Sequence, residues 1–208
     1  MIEVNSNQGK IIFPDIRTQG KTEFILKPAD IFFTASPTLF NSIIRYWEKD
    51  YFKAMAMVGH TGLIVTGGTI RTAEAVEALL HVERHTLLSQ YGGTKTKVAI
   101  FRPLGLTDEQ RQKVADKAMS YVGKNYGWEK LIPHLLDHTL GGVYLFRRLN
   151  SDQRYPICSW VLEWAFHEIG WGFGVPLGST DPDDAWDYCI ENKSRFDCIR
   201  MLRTLEVA

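Results

Sequence analysis

Apolar positions in the first half of the chain come as short runs of three to five, broken by glycine or polar turns. Phe24-Ile25-Leu26-Lys27 and Ile31-Phe32-Phe33 flank Pro28-Ala29-Asp30 and predict two short strands. Ser36-Pro37, a cap followed by proline, predicts a helix whose apolar positions are Leu39, Ile43, Ile44 and Trp47. Gly62-Leu63-Ile64-Val65, a turn at Gly67-Gly68, Ile70 to Val76, Leu79 to Leu88 and Lys97 to Phe101 then continue the strand pattern. Repeated short strands with turn signals predict an antiparallel sheet curling toward a barrel.

The second half changes period. Thr107 and Gln110 have capping-box spacing, and Val114, Ala118 and Val122 form the apolar stripe of a helix that stops at Gly123. From Trp128 to Arg154 a helical His134-Leu135-Leu136-Asp137-His138 mixes with the apolar Val143-Tyr144-Leu145-Phe146. A helix then opens at Cys158 and carries Leu162, Ala165 and Ile169 on the same face, with Gly170 as its stop. Trp171-Gly172-Phe173-Gly174 reads as a loop, Ser179 to Asp184 as the start of a last helix, and Arg195 to Leu202 as a return to the sheet. Neither a repeat nor a linker divides the chain, so residues 1–208 are expected to form one domain.

Composition narrows the function classes. Hydrophobic residues at 45% and aromatics at 12% supply an ample core. Lys plus Arg and Asp plus Glu are equal at 24 each, so no net field draws the chain to nucleic acid or an anionic membrane, and nucleic acid is not expected as a partner. No apolar run has the length of a signal peptide core or a membrane span, which makes the cytoplasm the expected compartment and leaves export by another route open. Three cysteines are too few for a disulfide framework in a chain this long; Cys189 and Cys198 read as reduced core or sheet residues.

Cys158 is the residue that points to chemistry. At a helix N-terminus a thiol faces unpaired N–H groups and the positive end of the helix dipole, an environment that favours a thiolate nucleophile; a buried structural cysteine is the competing reading. A nucleophile needs a base and a group that orients the base. Of six histidines, His60 in Val58-Gly59-His60-Thr61-Gly62 is best placed, at the mouth of a strand between glycines. Glu74, on the strand that the Gly67-Gly68 turn lays beside it, is the expected orienter, with Glu77 as competitor. Strand residues 74 and 77 point to opposite faces, so one of the two can reach His60.

No metal or cofactor is expected. His134 and His138 have helical ligand spacing but lack the glutamate of the zinc helix, and Asp181, Asp183 and Asp184 are explained as acids in a first helical turn.

The order Ala29-Asp30-Ile31-Phe32-Phe33, His60-Thr61-Gly62-Leu63, Glu74-Ala75, Phe101-Arg102-Pro103, Val122-Gly123-Lys124-Asn125-Tyr126-Gly127 and Cys158-Ser159 resembles the circularly permuted papain-like enzymes, the YiiX-like and YaeF-like branch of the NlpC superfamily, distantly related to lecithin retinol acyltransferases. The resemblance spans about residues 24–203; Ala29 stands where a glycine is usual, and residues 128–154 are a longer connection than expected, an insertion near the cleft. It implies an α+β, permuted papain-like fold in which the cysteine helix packs on a small antiparallel sheet or barrel. Cys158 would then be the nucleophile, His60 the general base and Glu74 the orienting residue, in a cysteine peptidase or amidase-type hydrolase. The expected substrate is an amide, a peptide or cell-wall fragment, cleaved through an acyl-enzyme. Tyr126, Trp171 and Phe173 are the expected substrate contacts; the aromatics Trp171, Phe173, Tyr144 and Phe146 admit a thioesterase or acyltransferase on acyl lipids as an alternative, and a non-catalytic binding or virion-associated protein retaining the fold is the alternative of another class.

Overall fold

A computed structural model of the chain describes residues 2–6, 9–13, 24–36, 58–127, 129, 136 and 156–202. Strands β1 (Ile2–Ser6) and β2 (Gly9–Phe13) form an antiparallel hairpin. The main sheet contains β3 (Ile31–Ala35), β4 (His60–Thr66), β5 (Glu74–Ala78), β6 (Val82–Thr86), β7 (Lys97–Pro103) and β8 (Phe196–Leu202). These six are antiparallel throughout, in the order β6-β5-β4-β3-β7-β8. The helices are α1 (Leu87–Tyr91), α2 (Asp108–Met119), α3 (Cys158–His167) and α4 (Pro182–Glu191).

The sheet is buried on both faces, which is why its central strands read as unbroken apolar runs. Ile31, Phe33, Leu63, Val65, Val76, Ala78, Ala99 and Phe101 alternate onto one face, against Val114 and Ala118 of α2, Trp160, Val161, Leu162 and Ala165 of α3, and Trp186 of α4. The intervening Phe32, Ile64, Ala75, Val98 and Ile100 face the other way, onto Leu26, Ala73, and Leu87 and Tyr91 of α1. Phe33, Phe101 and Trp186 meet edge to face with ring centroids 5.3–5.7 Å apart, closing the core between sheet and α4.

Local chemistry fixes the element ends. Thr107 and Gln110 form the predicted capping box of α2. Asp181 and Asp184 form another at α4, with Pro182 at its first turn and Asp183 beside it, so these acids serve the helix terminus. Gly170, at φ 73°, ends the α3 region in the left-handed conformation the sequence required. Ala29, where a glycine was expected, also has positive φ, 67°; its N–H donates to Ile64 O at 2.9 Å and its side chain is fully buried.

Three expected elements differ. Residues 24–27 do not make a strand: Leu26 forms a single bridge to Gly68, with backbone bonds of 2.7 and 3.0 Å. The strand expected from Ile70 starts at Glu74, because Thr69 O accepts from Thr72 N and Ala73 N and holds 69–73 as a turn. The run Leu79 to Leu88 splits into β6 and α1, because the Thr86 hydroxyl accepts from Ser89 N and caps a helix there. The helix expected from Ser36 to Trp47, the His134/His138 pair and Val143–Phe146 lie outside the described residues, apart from Ser36 itself.

Candidate active site

Cys158 is the first residue of α3, and Ile157 at the cap position has no side-chain acceptor. The opening N–H groups of α3 therefore receive no side-chain cap, and no acid stands in the first turn. Trp160 N and Val161 N both donate to Ile157 O at 3.1 Å, which fixes where the helix begins and hence where the thiol stands. Cys158 is 5% exposed.

His60 is the first residue of β4, and its ring lies close enough to the Cys158 side chain for the two to interact electrostatically. Its Nε2 is taken by Glu77 Oε2, so Nδ1 is the nitrogen left for sulfur. Burial by itself would push the His60 ring toward the neutral form. The adjacent Cys158 and Glu77 groups outweigh that cost and hold its pKa well above the usual histidine range.

The carboxylate that reaches His60 is Glu77, where Glu74 was expected. The register explains it: Gly62 stands opposite Glu77 and Thr66 opposite Glu74, with an irregularity between Ile64 and Thr66. Glu74 thus sits beside the β4–β5 turn, at the far end of β4 from His60, and pairs with Arg84 in a partly exposed ion pair. Glu77 lies one diagonal step from His60 on the same face of the sheet. Gly62, between them on that face, makes room for the Phe32 ring, since a Cβ there would meet that ring at 2.5 and 2.6 Å and Val76 O at 2.8 Å.

Glu77 is fully buried and receives more than the histidine expected for it. Tyr91 Oη of α1 donates to Oε2 at 2.5 Å. His85 Nε2 of β6 lies 2.5 Å from Oε1 as an ion-pair contact, at angles outside those of a well-aligned hydrogen bond. Burial would raise the Glu77 carboxyl, but His60 and then His85 overcome it and hold it below the usual carboxylate range. Tyr91 is driven the other way: burial and the Glu77 charge keep it a phenol. Neither His85 nor Tyr91 was identified from the sequence; the signal for His85 was its alternation with Glu83, which faces Glu77 across the β5–β6 hairpin.

The expected substrate contacts divide. Gly127 N donates to Pro156 O at 3.2 Å, which brings the Tyr126-Gly127 turn beside the segment leading into Cys158; Tyr126 itself is 8% exposed. Trp171 and Phe173 belong elsewhere, a correction with a clear physical cause. Both pack on Phe166 near the C-terminal end of α3, eight residues beyond Cys158, and Phe173 also meets Tyr188 and Phe196. At 1.5 Å per residue that is roughly 12 Å along the helix from the sulfur. Arg195 covers the Trp171 ring at 4.1 Å. These aromatics fasten α3, α4 and β8 together.

All three cysteines are reduced, with Cys189 buried and Cys198 exposed. No helix among the described residues is long and apolar enough to cross a membrane.

Comparison with known proteins gives a likeness in structure. No protein-family profile matches the chain. No curated protein matches it. Among solved structures, it is similar to metalloprotein YiiX (DUF1105) from Escherichia coli O157:H7, with 20% identity over 79% of this chain and 81% of that one and a TM-score of 0.51. The chain therefore has a YiiX-like α+β fold.

Proposed function

We propose that the protein is a cysteine hydrolase of permuted papain-like design that cleaves an amide through an acyl-enzyme. The observation that carries this reading is the grouping of Cys158, His60 and Glu77, in which a helix-terminal thiol lies beside an imidazole whose Nε2 is held by a buried carboxylate. His60 Nδ1 takes the proton from Cys158 Sγ, and the sulfur attacks the acyl carbon. Glu77 stabilises the imidazolium that results, and the uncapped N–H groups opening α3 receive the developing oxyanion. His60 then returns the proton to the leaving amine, and water, giving a proton to the same ring, releases the acid.

Of the four aromatics behind the acyl-lipid alternative, Trp171 and Phe173 are engaged with Phe166, and Tyr144 and Phe146 lie outside the described residues. We therefore favour an amide, a peptide or cell-wall fragment, with Tyr126 as a wall of the cleft. YiiX is called a metalloprotein. In this chain, no three His, Cys, Asp or Glu side chains among the described residues are grouped to ligate a metal, and both His60 and His85 turn a nitrogen toward Glu77. Thiol chemistry is the better account of the cluster.

The test is an acyl-enzyme. Incubation with p-nitrophenyl acetate followed by peptide mass spectrometry should find an acetyl group on Cys158 and none in Cys158→Ala at the equivalent peptide. Absence of that adduct from the wild-type protein would overturn the reading. A panel of aminoacyl p-nitroanilides and long-chain acyl thioesters then separates amide from acyl-lipid turnover.

A further inference from the structure

The carboxylate behind His60 has two oxygens, and a triad of cysteine, histidine and acid uses one of them. The second oxygen, Glu77 Oε1, meets His85 Nε2 at 2.5 Å. The other ring nitrogen of His85, Nδ1, lies 3.1 Å from the backbone carbonyl Thr86 O. Both partners are acceptors that carry no hydrogen, so the contacts favour a proton on each ring nitrogen, with Nε2 facing Oε1 as an ion-pair contact and not as an aligned hydrogen bond. The groups that face it agree: Glu77 from β5 and Glu83 from its own strand are both acidic, and the groups that share Glu77 with it are His60 from β4 and the neutral phenol of Tyr91 from α1. Burial pushes the His85 ring toward neutrality, and Glu77 outweighs it, raising its pKa.

A carboxylate pinned at one oxygen can still rotate about its last bond; pinned at both, it cannot. We propose that His85 is a positioning residue for Glu77: it anchors Oε1 so that Oε2 is presented to His60 and the imidazole is aimed at Cys158. The site is then a four-residue relay, Cys158–His60–Glu77–His85, with Tyr91 bracing Oε2 from the side. The fold supplies His85 by the pairing of β5 with β6, where Ala75 stands opposite His85 and its small side chain leaves the space that the ring occupies on the way to Glu77. The partners of His85 are Glu77, Thr86 and Glu83, so its route to the site runs through Glu77. This inference rests on the reading of Cys158 as a nucleophile activated by His60.

Iodoacetamide serves as the probe, with the alkylation rate of Cys158 read by peptide mass spectrometry at pH 7.5. His85→Ala removes the charged group that faces Oε1 and should slow Cys158 alkylation about tenfold, the order expected when a buried carboxylate loses one charged contact. His85→Gln restores an N–H donor of similar reach and should recover the rate to within about threefold of wild type. Recovery by Gln is the signature of positioning, because general loosening of β6 would not be reversed by it. An Ala variant as fast as wild type, or Gln and Ala variants equally slow, overturns the proposal. Should His85→Ala fail to fold, the wild-type protein still decides: ¹⁵N spectra at pH 7.5 should show both His85 ring nitrogens protonated, and a singly protonated ring overturns it. If wild-type Cys158 is alkylated no faster than Cys198, the failure belongs to the nucleophile reading and not to His85.

Discussion

Replacing Glu77 by glutamine tests the site where sequence and structure diverge. Glu77 is fully buried, and it accepts from His60 and Tyr91 on one oxygen and faces His85 with the other. Glutamine keeps the shape and one carbonyl oxygen but loses the charge, and its amide N–H₂ must then point at a group that is itself a donor. A hydrogen bond to a charged partner contributes roughly 1.5–3 kcal/mol, and stranding a buried partner costs more, so about 3 kcal/mol should be lost from the His60 imidazolium. At about 1.4 kcal/mol per decade, that is about a hundredfold loss in the rate at which Cys158 is alkylated by iodoacetamide near pH 7. Glu74→Gln should change the same rate less than twofold, because Glu74 lies at the far end of β4 from His60 and engages Arg84 in a partly exposed pair. Urea denaturation of each variant, run in parallel, separates slow chemistry from unfolded protein. A fast Glu77→Gln with a slow Glu74→Gln would refute the register and the assignment built on it.

Three further outcomes follow from particular contacts. Gly62→Ala puts a Cβ within 2.6 Å of the Phe32 ring, so we expect a loss of about 1–3 kcal/mol in urea denaturation, with slower Cys158 alkylation as β4 shifts; unchanged values in both would contradict the packing described for that strand. Asp30, fully buried, pairs with Arg102 at 2.6 Å and lies 3.7 Å from Arg111, so Asp30→Asn should cost about 3–5 kcal/mol in the same assay, and a loss under about 1 kcal/mol would refute the pairing as a structural anchor. Burial pushes the Glu163 carboxyl of α3 up from 4.5 to about 7 against the Thr180 hydroxyl and the Gly178, Thr180 and Ser179 N–H groups. The folded state therefore holds that proton more tightly than the unfolded one: the contribution is fully present below pH 4.5 and is lost as pH rises through about 7, at most roughly 3 kcal/mol. The stability difference between wild type and Glu163→Gln should accordingly change between pH 4.5 and pH 8, with wild type losing ground; a constant difference would contradict it.

The parts of the fold that depend on local pattern were legible in the sequence. The apolar runs Ile31-Phe32-Phe33, Leu63-Ile64-Val65 and Val98-Ala99-Ile100-Phe101 are central strands buried on both faces, and the capping residues Thr107 and Gln110 start α2 where spacing put them. The positions of Cys158 at a helix start and His60 at a strand start were legible, since a helix-terminal thiol and a strand-end imidazole between small residues are local features. What failed was pairing at a distance. The parity of residues 74 and 77 was read correctly, but antiparallel strands pair outward from their turn, so the residue nearer Gly67-Gly68 had to lie farther from His60. Counting outward along the hairpin selects Glu77. Trp171 and Phe173 failed otherwise: an aromatic loop after a helix looks the same in sequence whether it lines a cleft or closes a core, and only the packing of Phe166, Tyr188 and Phe196 around it distinguishes the two.

The claim at the centre of this account is that His60 makes Cys158 a nucleophile. Competition between cysteines for a limiting amount of iodoacetamide at pH 6, read site by site by mass spectrometry, tests it most directly. Buried Cys158 should be labelled ahead of exposed Cys198, Cys189 should stay unlabelled, and His60→Ala should abolish the preference. Labelling of Cys198 ahead of Cys158 in the wild-type protein, or a preference that survives His60→Ala, would contradict it.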